Sequence, residues 1–147
     1  MLDCAASPVL HRSSLHLADP HATTLTDEIT LIRSAFAAEM KEAGAEVHCA
    51  VLLPQALYVL WGLPRGDDPL PRLKQIGATF QRHAQGEVRF ACPVTAPLTA
   101  GQYDRVVAEF EGMPVAWELC DRPEEWPHSS IHRRLLFAQP TEMRAAS

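Results

Sequence analysis

The sequence predicts an α+β fold: a ferredoxin-like split β-α-β sandwich, an antiparallel sheet with helices on one face, plus an extended C-terminal tail. Three observations predict it. Apolar, β-branched runs alternate with segments whose apolar residues recur at spacings of three and four. The segments fall in the order β-α-β-β-α-β-α, and a strand, a helix, a hairpin, a helix and a strand make the split βαβ arrangement. Residues 120–147 are rich in Pro and Arg and read as a tail with at most one helical turn, packing on a domain formed by residues 1–119.

Each element has a local reason. Residues 9–17 (V-L-H-R-S-S-L-H-L) form a first strand, closed by Asp19-Pro20. Thr26 is expected to cap the first helix, with Asp27 and Glu28 in the first turn, where the helix dipole favours acids. Ile29, Ile32, Phe36 and Met40 make its apolar stripe; Lys41 sits in the last turn and Gly44 closes it. Residues 47–53 and 57–63 are two buried strands separated at Pro54-Gln55. The loop W-G-L-P-R-G-D-D-P leads to Asp68, a helix cap with Pro69 at the favoured first position. Leu70, Leu73, Ile76 and Phe80 supply that second helix with its core stripe. Residues 87–94 are expected to be a fourth strand. Thr99 is expected to cap a third helix, with Tyr103, Val106, Val107 and Phe110 facing inward and Pro114 ending it.

Composition narrows the function. The chain has 147 residues, which suits one domain, and 47 % hydrophobic residues, enough for a sizeable core. Its 18 acidic and 13 basic side chains leave a formal charge of −5. That balance argues against a broad phosphate-binding surface, although a local basic patch is compatible with it. Cys4, Cys49, Cys92 and Cys120 lie far apart with no C-x-x-C pair, and residues 1–10 lack the features of a signal peptide, so reduced thiols and a cytoplasmic location are expected. No apolar run approaches a membrane span. His11, His16 and His21, with Cys4, fit no standard zinc spacing and read as surface or sheet histidines.

Two blocks carry a resemblance. The first is V-L-L-P-Q-A-L-Y-V-L-W-G-L-P-R-G-D-D-P-L-P-R-L-K-Q-I-G-A-T-F-Q-R, residues 51–82; the second is M-P-V-A-W-E-L-C-D-R-P-E-E-W-P-H-S-S-I-H-R-R, residues 113–134. In order and content they resemble the REP-associated tyrosine transposases, a branch of the single-tyrosine HUH transposases. The resemblance covers most of residues 9–137. It implies the fold given above and a metal-dependent DNA strand-transfer chemistry. In that chemistry, two histidines one residue apart point to the same side of a strand and share a divalent metal such as Mg²⁺ or Mn²⁺. A helical tyrosine attacks the phosphate, and a polar residue one turn later completes the metal shell.

This chain departs from the pattern at each of those positions. The histidine places hold Ala56 and Tyr58, the nucleophile place falls on Glu109, and the assisting-ligand place falls on Met113. Alanine and methionine do not hold a hard oxygen-seeking cation. No metal, cofactor or catalytic residue is therefore expected. Tyr103, six residues before Glu109, is the one candidate for a displaced nucleophile, and its pattern marks it as core. Tyr58 is expected to fill the old metal space, with Glu109 as a hydrogen-bond partner. DNA-binding candidates are Arg72, Lys74, Arg82 and His83 around the second helix, and Arg122, Trp126, His132, Arg133 and Arg134 in the tail. Trp126 reads first as an anchor for the tail and second as a base-stacking platform.

The resulting expectation is a catalytically inactive, transposase-like protein that binds structured single-stranded or hairpin DNA, as a regulator or domesticated factor. The alternative is a protein-interaction module on the same frame, favoured by the acidic balance; the third reading is an active enzyme with a rebuilt site. The resemblance implies a monomer or a homodimer.

Overall fold

The computed structural model describes residues 8–19, 24–99 and 101–133. Strands β1 (Val9–His16), β2 (Glu46–Leu53), β3 (Ala56–Leu63) and β4 (Val94–Pro97) form one sheet in the order β2-β3-β1-β4, every pair antiparallel. Helices α1 (Ile29–Ala43) and α2 (Pro69–His83) complete the split βαβ unit, and α3 (Tyr103–Ala116) follows it. The architecture is the expected α+β one. Among the described residues no helix is long and apolar enough to cross a membrane, and Cys49, Cys92 and Cys120 are free thiols.

Strand alternation divides the interior in two, because successive side chains point to opposite faces. Leu57, Val59, Trp61 and Leu63 of β3 pack with Leu52, Ile32, Leu73, Ile76 and Phe80 beneath α1 and α2. Leu60 of β3, with Cys49, Val51 and Leu53 of β2, packs instead with Val106 and Phe110 of α3. The expectation of helices on one face therefore holds for the two helices within the split βαβ unit and does not extend to α3, which covers the opposite face. The one polar atom of Trp61 is satisfied: its indole N–H donates to Ser13 Oγ at 2.9 Å, and Ser13 is bonded to Thr95 Oγ1 at 2.7 Å.

The second helix begins as read: Asp68 caps it, accepting from the Leu70 N–H at 3.0 Å, with Pro69 in the first turn. Gly44 takes the left-handed conformation (φ 65°) that closes α1. Elsewhere boundaries move. Thr26 does not cap α1. Thr24 and Asp27 instead bond reciprocally, Asp27 N–H to Thr24 Oγ1 and Thr24 N–H to Asp27 Oδ2, and hold residues 25–28 in a turn, so the helix starts at Ile29. The fourth strand is not 87–94 but Val94–Pro97. Upstream, among the described residues, a single isolated bridge, Leu17 to Phe90, lies just past the end of β1, and Pro93, with no N–H to give, interrupts the ladder before the strand begins.

Thr99 does not cap α3 either. The Gln102 side chain accepts from the Thr99 N–H, and the helix starts at Tyr103. Pro114 lies within the last turn instead of ending the helix. There it removes a single hydrogen bond, and a Schellman closure holds the terminus: Leu119 N–H bonds Pro114 O (2.8 Å) and Glu118 N–H bonds Val115 O (2.9 Å), with Glu118 at φ 60°. Tyr103 is 38 % exposed and is not a core residue.

These cap assignments predict unequal costs. Asp68→Ala is expected to lower unfolding stability by about 1 kcal/mol in urea titrations, whereas Thr99→Ala stays within about 0.5 kcal/mol. Equal losses would contradict the assignment.

Candidate functional site

Residues 56, 58 and 60 share the α3 face of β3 because they alternate with Leu57 and Val59. Ala56 is fully buried, opposite His16 and Leu53 in the ladder. Tyr58, opposite Ser14 and Val51, is half-buried in an aromatic group. Its ring centroid is 5.2 Å from His16, 5.4 Å from Phe110 and 6.4 Å from Trp117, edge-on to His16 and Trp117. These are the separations and tilts at which aromatic rings attract one another. Burial pushes the Tyr58 phenol up, and the Glu109 carboxylate adds to the shift.

Glu109 gives its carboxylate to Arg12, not to Tyr58. The Arg12 guanidinium donates to Glu109 Oε2 at 3.0 Å and lies 5.5 Å from the centre of the Phe110 ring. Met113 packs in the apolar cluster beneath α3. These four positions do not fit a divalent metal. Ala56 presents a buried methyl, Met113 a thioether among apolar neighbours, and Glu109 a charge neutralised by a cation. Among the described residues no group of three His, Cys, Asp or Glu side chains is placed to hold a metal ion.

The fold is similar to that of a REP-associated tyrosine transposase. The structure of that transposase bound to a REP hairpin matches this one with a TM-score of 0.80, over 88 % of this chain and 81 % of that chain, at 20 % sequence identity. No protein-family model matches this chain, and no curated protein does. The likeness is one of fold.

The basic candidates fall into two groups on opposite sides of the sheet. Those on α2 lie over β1 and β4, while those of the tail lie beside β2. Three strand spacings of about 4.8 Å separate the two edges. Arg72 is engaged twice, at 2.9 Å with the buried Glu39 and at 3.3 Å with Asp67. Lys74 is exposed, and Arg82 and His83 occupy the exposed last turn of α2, where the helix dipole favours positive charge. Arg122 donates its backbone N–H to Glu125 Oε1 (3.2 Å) and its Nε–H to Glu125 Oε2 (3.4 Å) around the 3-10 turn Pro123–Glu125, and approaches Glu124. Trp126 donates its indole N–H to Leu52 O at 2.8 Å and packs on the α3-side cluster, so its ring fastens the tail to β2. His132 Nε2 bonds Trp126 O at 2.6 Å, and Arg133 is exposed. Arg134, His21 and Cys4 lie outside the described residues.

Sequence reasoning missed a relay across the sheet edge. The β2–β3 register slips between Val47 and Cys49, leaving His48 as a bulged residue. The bulge turns His48 so that Nδ1 meets the Tyr103 hydroxyl at 2.9 Å and Nε2 meets Glu46 Oε1 at 2.9 Å. Burial pushes the Tyr103 phenol up, with nearby negative groups adding. No period in the sequence signals such a bulge.

Three histidines sit where burial lowers their pKa: His16; His128, where Arg33 adds to the effect; and His11, where Asp68 and Asp67 oppose it. The folded state thus favours neutral imidazole, and the unfolded chain takes up protons first. This contribution is complete above about pH 6.5 and is lost as pH falls below that value. The urea midpoint is expected to fall between pH 7.5 and pH 5.5, and His16→Gln is expected to shallow that fall. A flat or rising profile would contradict the assignment.

Proposed function

We propose that this chain is a degenerate relative of the REP-associated tyrosine transposases, inactive in cleavage, that binds structured single-stranded or hairpin DNA in the cytoplasm as a domesticated regulator. The observation that carries this reading is a conjunction. The fold matches that of a hairpin-bound transposase, while Ala56, Tyr58, Glu109 and Met113 are packed or ion-paired within the α3 face. The two sequence blocks that carry the resemblance support the same reading. Among the candidates, Arg133 on the tail and Lys74, Arg82 and His83 on α2 are exposed and available to phosphates.

A second reading has its own support. Arg72 and Arg122 already hold carboxylates, and the net charge is −5. Both facts favour a frame kept for protein contacts, with DNA binding lost as well.

One experiment separates them. A fluorescent hairpin with a single-stranded flank is titrated with the full chain at low and moderate salt, with and without Mg²⁺. Binding is expected to weaken on the order of tenfold between about 50 and about 200 mM salt, to ignore Mg²⁺, and to leave no covalent DNA–protein adduct on a denaturing gel. No binding at low salt would sink the DNA reading and favour protein partners. A Mg²⁺-dependent adduct would overturn the claim of inactivity.

A further inference from the structure

On the α1 side of the sheet, away from the Tyr58 cluster, a cavity of about 450 Å³ opens between α1, β2 and the tail. Its size falls in the range that holds small ligands, about 300–1,000 Å³. Ile32, Phe36, Val47, Leu52 and Leu57 make the floor, all buried or half-buried. The tail forms one wall and is fastened to β2 by three hydrogen bonds. Leu52 N–H bonds His128 O (2.9 Å), Ser130 N–H bonds Ala50 O (2.8 Å), and Ala50 N–H bonds Ser130 Oγ (2.8 Å).

Two cations line this apolar cavity. Arg33 and Arg133 are exposed and have no carboxylate partner among the described residues, whereas Arg12, Arg72 and Arg122 each have one. The wall also holds His128, whose Nδ1 is buried and has no hydrogen-bond partner among the described residues. The Trp126 ring, edge-on at 5.5 Å, packs against this imidazole. A buried polar atom left unpaired costs free energy that a bound polar group would recover.

We propose that this cavity binds a small amphiphilic anion, an unbranched acyl chain carrying one carboxylate. The floor takes the chain, because Ile32, Phe36, Val47, Leu52 and Leu57 present only apolar side chains to it. Arg33 and Arg133 take the carboxylate, and the His128 Nδ1 supplies one hydrogen bond to it. A nucleobase fits less well, since its polar edges would be buried without partners on the apolar floor. The proposal shares Arg133 with the DNA reading, but its carboxylate-over-alcohol preference is read without DNA and stands or falls separately.

The full chain is titrated calorimetrically with decanoate, 1-decanol and decyltrimethylammonium, each below its micellar concentration. Decanoate is expected to bind saturably with one-to-one stoichiometry and at least about tenfold more tightly than 1-decanol, and the cation is expected not to bind. Arg33→Gln with Arg133→Gln should erase the preference for decanoate over decanol. Ala37→Phe, on the exposed side of α1 at the cavity, should block binding while the thermal unfolding midpoint is kept. Absence of saturable binding, equal affinity for acid and alcohol, or indifference to both sets of variants would overturn the proposal.

Discussion

The structure depends on β3. It is an inner strand, paired with β1 along one side and β2 along the other, and seven of its eight residues are buried. Such a strand must be apolar on both faces, and its alternation decides which helix each residue meets. Leu57, Val59, Trp61 and Leu63 serve the α1–α2 core; Ala56, Tyr58 and Leu60 look toward α3. A one-residue slip would exchange the two sets and place Tyr58 under the wrong helices. Trp61, fully buried and bonded to Ser13, marks the register on one face, and Tyr58 against Phe110 marks it on the other.

That constraint fixes which side chains face α3. A side chain at position 56 or 58 points at α3 whether or not any chemistry takes place there. Ala56 leaves no donor, and the Tyr58 ring packs among His16, Phe110 and Trp117. Arg12 on β1 then neutralises Glu109 on α3 and lies over Phe110, tying the strand to the helix by charge and by ring contact together. The phenols at 58 and 103 are both pushed up by burial.

Much of the frame was legible because it rests on local rules. The three long strands show in their apolar runs, α2 in Asp68-Pro69, and the end of α1 in Gly44. What was not legible depends on competition between neighbours or on distant contacts. Thr26 is as good a cap as any by type, but Thr24 and Asp27 close on each other first. Pro114 is a helix breaker by composition, yet it falls where the helix has one bond left to lose and a Schellman closure to follow. Tyr103 matches an inward stripe, but a bulge at His48 draws its hydroxyl to the sheet edge. Which residues stand at positions 56, 58, 109 and 113 could be read from sequence. The cavity of Arg33 and His128 could not, because α1, β2 and the tail meet only in the fold.

On the reading proposed above, packing takes the place of metal chemistry on the α3 face. The most direct test is a Mn²⁺ titration of the full chain followed by paramagnetic broadening of the Tyr58 ring and Met113 methyl resonances. The account predicts only weak, non-saturating broadening shared with exposed carboxylates across the surface. Saturable broadening centred on Tyr58, His16 and Glu109 at micromolar Mn²⁺ would contradict it.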